Sequence, residues 1–467
     1  MEIINVVLRN ILTSGSFNIS AQLIIFAVEI AVARILMPDD FGLYAITIMT
    51  LELFAMFSFK SMAVAFVQSL DSNEQDLFAI AFFVFILSVI MCLILILFSS
   101  NIESLFNKYF LSNNTLIVWI IPILSLEYVY RMAMMKKQMY WEVGFAELLS
   151  VVVYSISVYM LSINEYGYNS LLIAYSLRCL SKFIIVIFKV RTVYSLLPEL
   201  EFYRVLKYFK MTLGMTFQGV FLYSTSNADK YFANLVAGSN GLGIYSRAMK
   251  LVQMPLNQIS RNISAVLFVE FSKIQSDLVL VKRLYEKTIF YLCLVFFMFS
   301  AFLSSFSESI VIFIYGEKWQ GMASVLNVLV HGAVCTSISI ILGDLLKSRG
   351  IVYRELLSNV ICFLSMLIIL IVVSDKFNLV GVAWAFVISQ LIFLVAQSSI
   401  IASILNIGII RSVSLFFVPF VLSMFFYLYA FALKSIYSSM DALAIFVLTT
   451  SLLIFPLCFV LFRRVVR

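Results

Sequence analysis

The chain has 467 residues, of which 63% are hydrophobic and only 12% charged. Soluble domains are about 45–50% apolar and about 25% charged, so a soluble globular protein and a disordered one are both excluded. The mean hydropathy of +1.05 places most of the chain in lipid. The net charge of +7 then needs an explanation other than nucleic acid.

A membrane helix needs about 20 mostly apolar residues. Fourteen stretches qualify. In chain order they are Asn10–Leu36, Phe41–Gln68, Asp76–Ser99, Phe110–Arg131, Gly144–Leu161, Tyr168–Val190 and Phe209–Val236. The remaining seven are Ile244–Phe271, Tyr285–Ile314, Met322–Leu346, Leu356–Val373, Leu379–Leu405, Ser412–Leu433 and Ala442–Phe462. The first is too long for a signal-peptide core and is followed by ARILMPDD rather than a small-residue cleavage site, so it reads as a retained helix. The alternating ten-residue segments of a membrane β-barrel are absent. The expected fold is an all-α polytopic membrane protein of about 14 spans.

With an even number of spans both termini share a side. That side collects about twenty lysines and arginines, whereas Arg34, Lys108, Lys318, Lys376 and Lys434 fall on the other. The positive-inside rule makes the rich side cytoplasmic, and the net charge is then topology facing anionic head groups.

Two segments resemble each other. Ala21–Ile46 and Phe221–Ala248 each give an apolar helix with one acid (Glu29, Asp229), a short polar turn, a Gly-Leu-Tyr or Gly-Ile-Tyr (Gly42–Tyr44, Gly243–Tyr245) and a second helix. The repeat predicts two pseudo-symmetric six-helix bundles, residues 1–200 and 201–408, and an appended helix pair, 409–467.

A cation at the bilayer centre costs about 2.5–3.5 kcal/mol even on the lenient insertion scale, so it should face a wet cavity or a partner. Lys60, Arg178, Lys182, Lys230, Arg247, Lys250 and Arg261 lie within predicted spans. Most of them, with Glu29, Glu52 and Asp229, fall on the first two helices of each bundle, which become the candidates to line a cavity. In the eighth span Arg247, Lys250, Gln253, Asn257, Gln258, Arg261 and Ser264 share an arc of roughly 140°, and Pro255 is expected to bend the helix. Arg178 and Lys182, four apart, share a face. The candidate substrate-binding residues are therefore Lys60, Arg178, Lys182, Arg247, Lys250 and Arg261, suited to pyrophosphate or acidic sugars. The candidate ion-coupling residues are Glu29, Glu52 and Asp229. The competing reading is that these charges snorkel or pair to glue helices. Glu127 with Arg131 reads as such a structural pair, Asp344 beside Lys347 as another, and His331 as a packing residue. The six cysteines lie in apolar runs with no CxxC spacing. No metal or cofactor is expected.

Three motifs resemble one family. ARILMPDDFGLYAI (Ala33–Ile46) is similar to the junction of the first two helices in bacterial polysaccharide flippases. GLGIYSRAMKLVQMPLNQISRNISAVLFVEFSKIQ (Gly241–Gln275) resembles the central stretch of the colanic-acid-exporter branch, and YGEKWQGMASVLNVLV (Tyr315–Val330) its Gly-Glu-x-Trp element. Together they cover about a fifth of the chain. The family belongs to the superfamily of multidrug, oligosaccharidyl-lipid and polysaccharide exporters. The resemblance implies a V-shaped pair of bundles whose helices 1, 2, 7 and 8 line a cavity open alternately to each side. It also implies an undecaprenyl-pyrophosphate-linked oligosaccharide as cargo in the bacterial inner membrane. A polysaccharide polymerase and a chain-length regulator would be partners, and nucleic acid would not. Many relatives have twelve spans, so the final pair departs from the pattern. Two alternatives stay open: a drug or metabolite exporter of the same superfamily, and a membrane enzyme of polysaccharide assembly. The second lacks a large outer loop bearing catalytic groups.

Overall fold

A computed structural model describes residues 2–106, 112–194, 202–274, 277–349, 351–374, 378–437, 440–447 and 449. Among these residues the secondary structure is helical, with no strand. The chain divides into two compact units, residues 1–243 and 244–467.

The first unit opens with α1 (Glu2–Ile35) and α2 (Pro38–Met56). Pro38, Asp39 and Asp40 occupy the first turn of α2, where a missing N–H costs nothing and carboxylates complement the helix dipole. The Asp40 carboxylate accepts the Met37 N–H at 2.9 Å. The second predicted span does not run through as one helix. α2 stops at Met56, and α3 (Met62–Gln68) begins only after a break in which Phe59 takes φ 57°. Lys60 stands in that break. Hydroxyls line the interruption: Ser58 donates to the Ala55 carbonyl at 2.7 Å with Ser125 Oγ 2.9 Å away, and Ser61 bonds Thr216 at 2.7 Å.

α4 (Glu74–Leu97) starts from a capping box, with Asn73 accepting from the Asp76 N–H at 2.9 Å and Asp76 accepting from the Asn73 N–H at 3.3 Å. α5 (Ser99–Phe106) and a 3-10 turn (Ser112–Trp119) lead into α6 (Ile120–Lys136), α7 (Tyr140–Ile163) and α8 (Tyr168–Val190). α7 packs between α1 and α8, and α6 packs between α4 and α8. One apolar core joins Met62, Phe66, Ile80, Val129, Met134 and Val186. A second joins Leu51, Cys92, Leu95, Ile121, Leu172 and Leu242. At its C-terminal end α6 extends Lys136 to the carbonyls of Phe66 (2.9 Å) and Ser69 (2.7 Å) and to the Ser72 hydroxyl.

α9 runs over Phe202–Lys273 and holds the seventh and eighth predicted spans. Its one residue with non-helical φ/ψ is Gly238 (φ 64°, ψ −167°). The helix continues through Pro255, so the bend expected there is not marked by any departure from helical dihedrals.

The second unit contains α10 (Leu278–Ser305), α11 (Ser307–Tyr315), α12 (Met322–Ser348), α13 (Val352–Ser374), α14 (Leu379–Ile404) and α15 (Ile409–Ile436). Asp277 caps α10 by accepting two N–H groups at 3.0 Å, and Asn378 caps α14 at 3.2 Å. α12 is the most enclosed helix, packed on α10 and α14, and the Trp319 ring just before it is fully buried. His331 bonds Ser300 at 3.0 Å within this packing, as expected of a structural histidine. Lys347 pairs with Asp344 (3.0 Å) and Glu355 (3.1 Å). Cys92, Cys179, Cys293, Cys335 and Cys362 are buried free thiols.

Among the described residues, ten helices are long and apolar enough to cross a membrane. The four remaining predicted spans have identifiable reasons for differing. The second is broken, the seventh and eighth are polar stretches of α9, and the fourteenth (Ala442–Phe462) lies largely outside the described residues. The chain is thus a multi-pass, all-α membrane protein whose helices 2, 7 and 8 are its polar ones.

The first glycines of the two Gly-x-Tyr motifs lie against each other's preceding backbone. A Cβ on Gly42 would fall on the Ser239 carbonyl, and a Cβ on Gly243 would fall on the Pro38 carbonyl. The contact is reciprocal between equivalent positions of the two copies, as across a local two-fold axis. Ser239 also donates its hydroxyl to Asp39. Neither glycine can carry a side chain without separating backbone from backbone. Gly42→Leu or Gly243→Leu should therefore lower the melting temperature of the purified protein by several degrees, an overpacking cost of about 1–3 kcal/mol. Gly214→Ala, with open space around its Cα, should leave the temperature unchanged.

Candidate functional site

In the first unit, α2, α6, α7 and α8 bring charge together. α8 places Arg178 and Lys182 one turn apart on one face, as their spacing predicts. Glu147 of α7 answers both: its Oε1 accepts from Arg178 Nη2 at 2.6 Å and its Oε2 from Lys182 Nζ at 2.8 Å. Lys182 also reaches Glu127 of α6 at 3.2 Å, and Glu127 accepts from Arg131 Nε at 3.0 Å. The result is a chain of alternating sign, Arg178–Glu147–Lys182–Glu127–Arg131, crossing three helices. Its side chains are between 10% and 24% exposed, so water screens them weakly and the pairing is strong.

This chain borders a cavity of about 200 Å³, lined by Glu52, Leu124, Glu127, Tyr175, Arg178, Cys179 and Lys182. Glu52 faces it from α2, within electrostatic reach of Lys60, Lys230 and Arg178. Tyr223 donates to the Met49 carbonyl at 2.9 Å and lies 3.4 Å from Glu52 Oε2. The Lys60 ammonium sits 5.7 Å from the centre of the Tyr128 ring, and the Arg131 guanidinium lies 5.0 Å from it. Tyr175 packs edge-on against Tyr44, with centroids 6.2 Å apart. The wall therefore offers cations, carboxylates and aromatic faces together.

The sequence-derived candidates separate into groups. Arg178, Lys182 and Glu52 line this cavity, and Lys60 stands outside the lining within electrostatic reach of Glu52 and Glu127. Glu29 (7% exposed) and Asp229 (3%) are buried in the same unit but do not line it. Lys230 donates to Asn227 at 2.9 Å. Arg247, Lys250 and Arg261 belong to the second unit, on the later part of α9. Arg247 is buried, Lys250 half-buried and Arg261 exposed. Ser264, at the end of their polar stripe, donates to Asp344 of α12.

Sequence reasoning missed Glu147 and Tyr175. Two cations four apart in a span call for a carboxylate on a neighbouring helix, and Glu147 is the acid about two turns inside α7. Glu127 was recognised only as the partner of Arg131, because the reach of Lys182 depends on how α6 and α8 pack. Among the described residues, no cluster of three or more His, Cys, Asp and Glu is arranged to hold a metal.

The chain and its fold have relatives. A protein from Klebsiella pneumoniae, described as an uncharacterized membrane protein in the cps region, is 23% identical over 407 residues, covering 85% of this chain and 82% of its own. Among solved structures, the lipid II flippase MurJ in an inward closed conformation superposes with a TM-score of 0.73 at 12% identity, covering 95% of this chain and 99% of that one. An inward-facing multidrug resistance MATE family transporter of the MOP superfamily gives 0.61 at 14% identity, covering 83% and 96%. At these identities the structural likeness speaks for the fold alone. Residues 31–324 match the model of a family described as polysaccharide biosynthesis protein. With well over half its length inside that match, and with a fold shared with flippases and exporters, the chain belongs to the polysaccharide biosynthesis protein family.

Proposed function

We propose that this protein moves undecaprenyl-pyrophosphate-linked oligosaccharide repeat units from the inner to the outer leaflet of the bacterial cytoplasmic membrane, for surface polysaccharide assembly. It acts by alternating access, as a carrier and not as an enzyme, with both termini cytoplasmic. The observation that carries this reading is the alternating charge chain beside a 200 Å³ cavity in a membrane-spanning unit. A cluster of buried charge is costly there, and function is the default reason for keeping it. Arg178 and Lys182 are already held by carboxylates, so a pyrophosphate or an acidic sugar is received by exchange. As the anion arrives, the cations turn from Glu147 and Glu127 to it, and on release they return. Binding by exchange is weak by construction, which suits a carrier that must let go on the far side. Tyr175, in the cavity wall, offers a ring to sugar. Lys60, Arg247, Lys250 and Arg261 are further candidates for the same cargo, and Glu29, Glu52 and Asp229 for coupling to an ion. A polymerase and a chain-length regulator would act on the delivered units.

A second reading is export of drugs or metabolites, favoured by the likeness to the multidrug transporter fold. The cluster argues against cationic drugs. Its cations, Lys60, Arg131, Arg178 and Lys182, exceed its acids, Glu52, Glu127 and Glu147.

Cells lacking the gene should accumulate a lipid-linked oligosaccharide that is protected from reagents acting outside. Lipid extraction with mass spectrometry, against complemented cells, reads this out. Normal lipid levels with normal surface polysaccharide would defeat the assignment, and drug-efflux assays would then decide the alternative.

The role of the charge chain itself is separable from its role in folding. Glu147→Ala strands Arg178 and leaves Lys182 only Glu127, and should lower protein level sharply, a loss of about 3–5 kcal/mol. Glu147→Leu combined with Arg178→Met removes the pair without stranding a charge, and Lys182 keeps Glu127. That double variant should be present at normal level while exporting at least roughly tenfold less polysaccharide, the worth of one charged hydrogen bond. Full export by the double variant would make the pair purely structural.

A further inference from the structure

A second concavity lies in the second unit, in the groove between α10 and α15, with a volume of about 540 Å³. Two helical stripes face each other across it. On α10 the stripe reads Arg283, Glu286, Lys287 and then Phe290, at helical spacing. On α15 it reads Arg411, then Leu415 and Val418. In both helices the charged residues come in the opening turns of a membrane span (Leu278–Ser305 and Ile409–Ile436), and the apolar residues follow deeper in. The groove is therefore cationic at the membrane surface and oily below.

Glu286 organises the cationic end. It is 16% exposed at its side chain, and its Oε2 accepts both Arg411 Nε at 3.1 Å and Arg411 Nη2 at 3.0 Å. This contact fixes the guanidinium across the groove opposite Arg283 and Lys287. Arg283, Lys287 and Arg411 line this end of the groove together with one carboxylate, Glu286, at the level of lipid head groups.

We propose that this groove holds an anionic membrane phospholipid. Its phosphate sits among Arg283, Lys287 and Arg411, and an acyl chain runs along Phe290, Leu415 and Val418. The order of polarity along the groove is the order along a phospholipid. The volume is of the size that encloses small ligands. A free phosphate would need only the charged turns and would make no use of the apolar floor. A zwitterionic lipid brings its own cation against the three already there. The site uses none of the residues around Glu147, so it stands or falls independently of the translocation reading.

The test uses the full-length protein in neutral detergent, titrated with phosphatidylglycerol or phosphatidylcholine and read by native mass spectrometry. Phosphatidylglycerol should bind at least roughly tenfold tighter. The Arg283→Gln/Lys287→Gln double variant should lose about 10–30-fold of that affinity, falling to the level of phosphatidylcholine. Val418→Trp, at an exposed position that fills the apolar floor, should also release phosphatidylglycerol while every charge remains. Equal binding of the two lipids, or full retention by the double variant, would overturn the proposal. So would displacement of phosphatidylglycerol by millimolar inorganic phosphate together with indifference to Val418→Trp, which would leave an anion site and no lipid site.

Discussion

Glu147 lies between Arg178 and Lys182 inside a bundle that crosses a membrane, with both cations within 2.8 Å of its oxygens. Lipid supplies neither water nor counterions, so each of these charges must find its opposite within the protein. That requirement fixes much of the first unit. α7 and α8 must lie side by side, with the acid facing two positions one turn apart. α6 must join them, because Lys182 takes Glu127 as well, and Glu127 brings Arg131. Apolar packing alone would leave the rotation of each helix only loosely determined, since lipid and leucine are equally good neighbours for an apolar face. The charges remove that freedom.

The same arrangement makes a cavity out of a packing problem. Five alternating charges cannot be covered on all sides by hydrocarbon side chains of three helices. The space left beside them is bordered by Glu52 on α2 and Tyr175 on α8. The close backbone approach at Gly42 and Gly243 adds a second constraint of a different kind, in which shape rather than charge excludes alternatives.

The membrane class, the all-α architecture and the polar character of helices 2, 7 and 8 could be read from hydropathy and from the places where it lapses. The pairing of Gly42–Tyr44 with Gly243–Tyr245 was visible as similarity, but their mutual contact was not, because sequence similarity does not say where two copies lie. The break between Met56 and Met62 was hidden, because Phe57–Ser61 contains neither glycine nor proline, and Phe59 takes its left-handed φ through tertiary context. The interruption of α9 falls at Gly238, in the short polar turn expected between the seventh and eighth spans, whereas the bend expected at Pro255 leaves no non-helical dihedral. Proline removes one hydrogen bond and can remain in a helix, whereas a φ of 64° cannot. Arg178 and Lys182 were found by spacing. Glu147 was not, because its role appears only when the consecutive helices α7 and α8 are laid side by side, bringing together residues 31 apart in the chain.

The interruption of the second span has a mechanical meaning. Lys136 ties α3 to the end of α6 through two carbonyls and a hydroxyl, so α3 is pinned at that end. α2 begins at the tight glycine contact and carries Glu52 to the cavity. Between a pinned segment and a loaded one lie only residues 57–61, held by single-turn backbone bonds such as Phe59 N–H to the Met56 carbonyl (3.3 Å) and by serine hydroxyls. A hydroxyl contact can be remade in a neighbouring geometry, while a helical turn must be broken to bend. Any displacement of α2 against α3 is therefore taken up in those five residues, and Lys60, standing at the joint, turns with it.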